Sequence, residues 1–385
     1  MALKIHQEKK IIHEMPAGGE LYLNVLTFDS QRPGPVTYIQ SSVHGAELQG
    51  NIVIYEMMKH LKGHPFKGKV IFVPMANPFA TNNRQGGHTQ GRFNPLTGNN
   101  WNRNYIDLMK LKEDQVNFSL KNFIKSNIDT PWEELKKSYK KVILDMLLAH
   151  EKKLFLERGP RHNTLLNLEL QKIAAQADFV LDLHTGPVAT RYIYSAEYER
   201  DRVADLSFPF NLSIPNEFAG AMDEACFMPW VKLKEEMYAA GRELPIEFES
   251  YTVELGSEER ISTEEALVDS NRLLHYLHLR GQLDEDVEFQ KPDKQYWSLL
   301  ADYKTYFAKH GGLFEFLKSP GQHIKKGDVL GRYLLANKIS AELDETSIRP
   351  ELIALKDGIV INHACTCGIG TGGELYQVME EVNVF

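Results

Sequence analysis

Cysteine is scarce in this chain of 385 residues, which contains only Cys226, Cys365 and Cys367. Three cysteines are too few for a disulfide framework in a protein of this length, and such scarcity is typical of a reducing compartment. His363 lies close to Cys365 and Cys367 in the sequence, but the segment lacks a fourth soft ligand. The sequence therefore does not favour a metal site there.

Long apolar runs and an excess of positive charge are also missing. There is no stretch of 18 apolar residues, and residues 1–10 lack the apolar core of an export signal. We therefore expect a cytoplasmic protein that does not enter a membrane. The formal net charge of −8 disfavours sequence-independent binding of nucleic acid. A hydrophobic content of 43% and a charged content of 25% are typical of a globular protein with a large core.

Apolar runs of strand length alternate with helical patterns over much of the chain. The apolar spacing after Glu47 predicts a helix that ends near Leu61, and capping residues from Ser262 onwards predict another. This alternation predicts βαβ units and an α/β fold. The principal predicted strands are Val36–Ser41, Lys69–Met75, Asp178–Gly186 and Pro245–Gly256.

Two changes in amino-acid composition along the chain suggest the domain organisation. Residues 107–177 are charged and amphipathic, which predicts two to four helices inserted between strands. The polar segment Asp284–Lys294 marks a boundary, because short apolar runs between glycine turns follow it. We therefore predict a first domain of residues 1–290, with a helical insertion at about 107–177. A small all-β domain, a barrel or sandwich, follows at residues 291–385.

A histidine and a carboxylate lie three residues apart where the strand Val36–Ser41 gives way to a helix. His44 and Glu47 can point into one crevice and bind a divalent ion, for which zinc is the natural candidate. Spacing alone is weak evidence, because about one His-x-x-Glu is expected by chance in a chain of this composition. The alternative is a solvated histidine and glutamate at a helix start.

Two other predicted strands end in residues of the same kind, His184 and Glu254. Because the carboxyl ends of parallel strands meet at one edge of a sheet, we expect these residues to converge with His44 and Glu47. Two histidines and one glutamate leave a fourth zinc position for water, and Glu254 then has the role of general base. Asp182 shares a strand face with His184, where it either orients the imidazole or is a structural carboxylate.

The segment Ala76–Tyr105 is polar, lacks a hydrophobic period and is long for a structureless loop, which is typical of functional loops. It contains Arg92 and Arg103. One guanidinium can polarise a scissile carbonyl and stabilise the oxyanion, while the other forms a bidentate pair with a substrate carboxylate, assisted by Asn102. The alternative is that both are solvated loop arginines.

In their order along the chain, these motifs resemble the succinylglutamate desuccinylase/aspartoacylase family of the zinc carboxypeptidase-like superfamily. The resemblance runs from about Val36 to Gly256, and the glycine-rich end of the chain is similar to the small β-domain of such proteins. The motifs are His44-Gly-x-Glu47, Arg92-x-x-Pro-x-x-Gly-x-x-x-Asn-Arg103, Asp182-x-His-Thr-Gly and Glu254-x-Gly. The chain departs from the family at Asn99-Asn100-Trp101, where many relatives have an Asp-Leu pair, and in the helical insertion. Both departures leave the choice of substrate open.

The resemblance implies a carboxypeptidase-like mixed sheet flanked by helices, with one zinc ion per chain. It also implies the roles of the site residues: His44, Glu47 and His184 bind zinc, Glu254 is the general base, Arg92 stabilises the oxyanion, and Asn102 with Arg103 binds a substrate carboxylate.

Three functions are consistent with these residues. The first is a zinc-dependent hydrolase that cleaves the amide bond of an N-acyl amino acid or a similar small carboxylate. The second is a zinc carboxypeptidase that acts on peptide C-termini. The third, of another class, is a non-catalytic binding protein on the same fold. The expected partner is a small carboxylate substrate, with no nucleic acid and no membrane, and the sequence leaves room for a homo-oligomer.

Overall fold

The computed structural model describes residues 3–157 and 159–385, without the side chain of residue 114. Its centre is a ten-stranded mixed sheet with helices on both faces, so the predicted α/β architecture with a mixed sheet is confirmed. The first part of the chain supplies β1 (Lys4–Glu14), β2 (Glu20–Asp29), β3 (Val36–Ser41), α1 (Gln49–Gly63), β4 (Lys69–Val73), α2 (Pro78–Asn82), β5 (Arg84–Gln85) and β6 (His88–Thr89).

The described residues of the range 107–177 form four α-helices between this part and the rest of the sheet: α3 (Glu113–Val116), α4 (Leu120–Asn127), α5 (Trp132–Glu157) and α6 (His162–Ala174). The chain then returns to the sheet and adds β7 (Phe179–Gly186), β8 (Val188–Ala189), β9 (Arg191–Ala196), α7 (Arg200–Val203), β10 (Phe210–Ile214), α8 (Met222–Ala239), β11 (Glu249–Ser257) and α9 (Thr263–Leu279).

The remaining residues are mostly short strands between turns. They are β12 (Tyr296–Leu299), β13 (Tyr303–Phe307), β14 (Gly312–Phe316), β15 (His323–Ile324), β16 (Val329–Leu334), α10 (Glu345–Ile348), β17 (Glu351–Ile353), β18 (Gly358–His363), β19 (Gly368–Ile369), β20 (Glu374–Met379) and β21 (Asn383–Val384). Most of them form two small antiparallel sheets, in the orders β13-β20-β18-β15 and β17-β16-β14-β19.

The large sheet has the order β1-β2-β4-β3-β7-β11-β9-β10-β12-β21. Its middle strands β4, β3, β7 and β11 run parallel to one another, so their carboxyl ends meet at one edge. Every residue of β7 is buried, which explains why this strand reads as a continuous apolar run. One face of these strands packs on α1 and α9, and the other packs on α6 and α8. These two apolar layers fix the positions of the middle strands, whose carboxyl ends carry His44, His184 and Glu254.

Two connections tie the end of the chain to this sheet. The strands β12 and β21 extend it, with β12 parallel to β10. The two-residue strand β8 follows β7 directly and pairs with β18, where Asn362 faces Ala189 and His363 faces Val188. The small sheets therefore lie against the carboxyl edge of the middle strands.

The elements α1 and β1 both differ from the sequence-based expectation, and the segment Ala76–Tyr105 contains the short elements α2, β5 and β6. The helix α1 begins at Gln49, because Glu47 belongs to a turn in which its carbonyl accepts a hydrogen bond from the Ser42 hydroxyl. The edge strand β1 was not predicted at all. Its first six residues are all exposed, and Ile5 is the one apolar residue among them. The sequence there therefore lacks the alternation of apolar and polar residues that signals a half-buried strand. Among the described residues, no helix is both long enough and apolar enough to cross a membrane.

Candidate metal centre and active-site cavity

One carboxylate lies between two imidazoles at the carboxyl edge of the sheet. Oε1 of Glu47 is 2.8 Å from Nδ1 of His44, and Oε2 is 2.7 Å from Nδ1 of His184. All three side chains are buried, and one ligand atom from each lies within 4.8 Å of the others. The structure thus brings together the three residues that the sequence analysis selected as metal ligands.

Local backbone geometry explains why these residues meet. After β3 the chain turns through Ser42, which has a positive φ of 62°, and this turn directs His44 and Glu47 towards the neighbouring strand. Gly45 packs so tightly on the backbone of Ala80 that a Cβ atom would lie 2.4 Å from the Ala80 carbonyl carbon. His184 comes from the end of β7, which is hydrogen-bonded to β3.

The second nitrogen of each imidazole faces an oxygen. Nε2 of His44 lies 2.8 Å from Oδ1 of Asn100, and Nε2 of His184 lies 2.8 Å from Oδ2 of Asp182. Gln40 holds Asp182 in turn, because its side-chain amide donates to Oδ1 at 2.8 Å. With a proton on each Nε2, both Nδ1 atoms are free to bind a metal.

The electrostatics of the cluster favour a cation at its centre. Burial alone would raise the pKa of Glu47, but His44 and His184 outweigh it and hold that pKa well below the ordinary value. Burial lowers the pKa of His44, and Glu47 only partly opposes this effect. Burial also acts to lower the pKa of His184, yet Asp182 and Glu47 together raise it well above the ordinary value. A buried ionised carboxylate flanked by imidazoles is an environment that suits a divalent metal.

Glu254 lies next to His184 on the adjacent parallel strand, because the register of β7 and β11 pairs these two residues. It is buried, and in the part of the chain that the structure describes its Oε2 has no hydrogen-bond partner. Burial and the nearby charge of Glu47 raise the pKa of Glu254 to about 7, although His184 and Arg92 oppose the shift. Gly256, with φ of 99°, follows at an irregularity of the ladder that ends the regular pairing. A carboxyl group with such a pKa can both accept and return a proton near neutral pH.

The two loop arginines approach the cluster differently. Nη1 of Arg92 is 3.5 Å from Oε1 of Glu47, and 46% of the Arg92 side chain is exposed. Nη1 of Arg103 donates to the carbonyl oxygen of Asn102 at 2.6 Å. Asn102 itself is buried, and its Oδ1 accepts a hydrogen bond from the backbone N–H of Met222 at 3.1 Å. The loop thus lies between the first turn of α8 and the cluster of His44, Glu47 and His184.

A cavity of about 330 Å³ lies above these residues. Its walls include all but one of the seven predicted site residues, since Glu47 lies beneath His44 and His184. The rest of the wall includes residues that the sequence analysis did not select for the site. These further residues include Tyr192, Tyr194, Asp223, Thr252, Leu300, Tyr303, Asn362 and Gln377.

Sequence reasoning missed Asn100, Asp223 and the residues beyond position 290. Asn100 was visible as a departure from the family pattern, and its position two residues before Asn102 was a usable signal. Asp223 had only the weak signal of an acidic residue in the first turn of a helix. Tyr303, Asn362 and Gln377 had none, because only the fold brings the small sheets to the cavity.

The fold and the cavity define an α/β protein with a candidate His-Glu-His metal centre. The profile of the succinylglutamate desuccinylase/aspartoacylase catalytic domain matches residues 33–128. The chain is 36% identical to a protein of this family from Shewanella amazonensis SB2B, with a TM-score of 0.90 over 99% of this chain and 100% of that one. It is 35% identical to one from Shewanella frigidimarina NCIMB 400, with a TM-score of 0.91 over 99% of both chains.

The chain therefore belongs to the succinylglutamate desuccinylase/aspartoacylase family, a family of deacylase-type hydrolases, as the ordered motifs predicted. The ectoine utilization protein EutE of Ruegeria pomeroyi shares the fold, at 16% identity and a TM-score of 0.64 over 98% of this chain and 95% of that one. No curated protein gives a significant match.

Proposed function

We propose that this protein is a zinc-dependent hydrolase that cleaves the amide bond of an N-acyl amino acid or a similar small carboxylate. The observation that carries the proposal is the position of Glu47 between Nδ1 of His44 and Nδ1 of His184, at the base of a cavity that also contains Glu254 and two arginines. Membership of a family of deacylase-type hydrolases supports the same reaction class.

The donor set suits zinc. Two imidazole nitrogens and one carboxylate oxygen are the protein ligands of many hydrolytic zinc sites, which keep one coordination position open. When bound, zinc supplies Lewis acidity, which polarises a carbonyl group and lowers the pKa of water. Oδ1 of Asn100 accepts a hydrogen bond from Nε2 of His44, and Oδ2 of Asp182 lies 2.8 Å from Nε2 of His184, so both imidazoles are placed with Nδ1 towards Glu47.

The other residues transfer protons, stabilise the oxyanion and bind the substrate. Glu254 takes a proton from the attacking water and returns it to the departing amine, which fits a carboxyl group whose pKa is about 7. Arg92, beside Glu47, is within reach of the substrate carbonyl and can stabilise negative charge that develops on its oxygen. Arg103 and Asn102, at the wall of the cavity, bind the substrate carboxylate.

The size of the cavity favours a small substrate over a peptide. Its volume of about 330 Å³ is near the lower end of the range for small-molecule sites. Leu300, Tyr303, Asn362 and Gln377 form part of its wall, so residues beyond 290 limit the space above the metal site. We therefore propose a carboxypeptidase-like domain of residues 1–290 and a β-domain of residues 291–385 whose role is to close the cavity.

The test is elemental analysis of the purified protein together with assays on N-acyl amino acids and short peptides. We expect about one zinc per chain in the wild type, and loss of both zinc and hydrolysis in His44→Ala. Glu254→Gln is expected to keep zinc and lose activity by about 10²- to 10⁴-fold. The exposed residues His64 and Glu264 provide matched controls, since His64→Ala and Glu264→Gln should behave as the wild type.

Three results would contradict the proposal. Release of amino acids from blocked dipeptides without hydrolysis of any N-acyl amino acid would favour the carboxypeptidase. An unchanged activity in Glu254→Gln would remove its role as the base. A protein without stoichiometric metal and without turnover would favour the non-catalytic binding protein.

A further inference from the structure

Asp223 is a buried carboxylate that faces the active-site cavity. Only 2% of the residue is exposed, it lines the cavity, and its Oδ1 has no hydrogen-bond partner among the described residues. The mechanism proposed above does not use it. A buried, unsatisfied carboxylate is destabilising, and native proteins rarely keep one without a reason.

The surroundings of Asp223 increase this destabilisation. Burial raises its pKa to about 7, and the negative charges of Glu224 and Asp182 act in the same direction. Glu224 also lines the cavity, but its Oε2 already accepts hydrogen bonds from the backbone N–H groups of Ala219 and Ala221. Oδ1 of Asp223 is thus a buried carboxylate oxygen at this wall that no hydrogen bond among the described residues satisfies.

The charges around the cavity indicate what that ligand carries. Among the described residues that line the cavity, Arg92 and Arg103 are the only lysine or arginine side chains. The proposed mechanism uses both of them, for the scissile carbonyl and for one carboxylate. A second carboxylate on the substrate would have no further lysine or arginine to pair with among these residues. It would instead be repelled by the carboxylate of Asp223. A positively charged group at this wall would be stabilised.

The position of Asp223 indicates that it faces the amino-acid half of the substrate and not the acyl half. Its neighbour Met222 donates a backbone hydrogen bond to Asn102, so Asp223 lies beside the residues that bind the substrate carboxylate. Thr252, which can hydrogen-bond to Asp223, precedes Glu254 by two residues on the same face of β11. Two residues of a strand span about 7 Å, which is the length of a short amino-acid side chain.

We infer that Asp223 is a specificity-determining residue that binds a cationic amine on the side chain of the substrate's amino-acid half. The inference rests on the proposed function and narrows it. The substrates are Nα-acyl derivatives of diamino acids, and acidic N-acyl amino acids are poor substrates. The reaction is the same hydrolysis: water and the amide give a carboxylic acid and an amine, while the side-chain amine stays unchanged.

The experiment compares three substrates with the zinc-loaded full-length enzyme: Nα-acetylornithine, neutral Nα-acetylnorvaline and acidic Nα-acetylglutamate. We expect kcat/KM for the ornithine derivative to exceed that for the norvaline derivative by at least about tenfold. Asp223→Asn should lower kcat/KM for the ornithine derivative by about 10- to 100-fold and leave the norvaline derivative within about twofold. Asp129→Asn, at an exposed aspartate, is the matched control.

Binding of the products provides a readout that does not depend on turnover. Calorimetric titration should show that ornithine binds more tightly than norvaline to the wild type and that Asp223→Asn removes the difference. Equal kcat/KM for the amine and neutral substrates, or a preference for the acidic one, would overturn the inference while the proposed function stands. A uniform loss on all three substrates in Asp223→Asn would assign Asp223 a purely structural role. Hydrolysis of no N-acyl amino acid by the zinc-loaded wild type would overturn the proposed function, and the inference with it.

Discussion

Oδ1 of Asn100 accepts a hydrogen bond from Nε2 of His44 at 2.8 Å. The same oxygen also accepts the backbone N–H of Asn102 at 2.8 Å, which identifies it as the oxygen of the amide and not the nitrogen. This contact favours a proton on Nε2 of His44, and in that tautomer Nδ1 is available to a metal. A loop residue distant in sequence thus favours one tautomer of a candidate metal ligand.

Replacement of Asn100 tests this relationship. Asn100→Ala removes the acceptor, so the imidazole of His44 can rotate or change tautomer, and we expect zinc affinity to fall by about 10- to 100-fold. Asn100→Asp retains an acceptor oxygen and should keep affinity close to that of the wild type. Competition with a chromogenic chelator measures both variants. Equal affinity in the wild type and Asn100→Ala would show that Asn100 does not orient His44.

Gly220 allows the loop that contains Arg103 to approach α8 closely. It has a φ of 104°, and a Cβ atom there would lie 2.7 Å from the carbonyl oxygen of Arg103. Gly220→Ala should displace Arg103 and raise KM for N-acyl amino acids by about tenfold or more, because small misplacements of a positioning residue have large effects. Zinc content should not change.

Gly241 provides the control for this substitution. Its φ is 91°, yet nothing lies within 4 Å of the position of its Cβ atom. Gly241→Ala therefore introduces a similar backbone strain of about 1–2 kcal/mol without a clash. We expect it to lower the melting temperature and leave KM unchanged. If both variants change KM equally, the contact between Gly220 and Arg103 is not the cause.

The buried Asp223 predicts a pH-dependent effect on stability. Its folded pKa of about 7 lies above the ordinary value of 3.8, so the unfolded chain loses this proton first as the pH rises. The stabilising contribution is complete below pH about 4 and is lost as the pH rises through 7. A shift of about three units corresponds to at most about 4 kcal/mol.

Asp223→Asn lacks this titration. Relative to the wild type, its unfolding free energy should therefore rise between pH 4 and pH 8. Urea denaturation of the ligand-free protein at several pH values measures the difference, with Asp129→Asn as the exposed control. A difference between wild type and variant that stays constant over this range would show that Asp223 titrates normally in the folded protein.

Removal of the metal should destabilise the fold, because the cluster of His44, Glu47 and His184 is preformed and buried. A ligand that binds only the folded state stabilises it by about 2.7 kcal/mol at a free concentration of 100 Kd. We expect dialysis against a chelator to lower the melting temperature by several degrees and added zinc to restore it. His44→Ala should show no zinc-dependent shift, and a shift of the same size in that variant would place the metal elsewhere.

The family, the α/β class and the residues that meet at the sheet edge were readable from the sequence because their signals are local. Each of the strands before His44, His184 and Glu254 is a short apolar run that ends in a polar residue and a turn. Parallel strands then require that such ends meet, whatever the details of packing. The continuous apolar run predicts the buried strand β7, and apolar residues at helical spacing predict α1.

Other features needed the tertiary structure because they depend on contacts between distant residues. Asn100 and His44 are separated by 56 residues, and the loop reaches His44 only after it folds over the sheet. Asp223 became a candidate for substrate recognition only when its burial and its unpartnered oxygen were visible. Likewise, Asn362 and Gln377 reach the cavity only because β18 pairs with β8. Local patterns determine which groups the strand ends present, whereas strand pairing and helix packing decide which distant groups surround them.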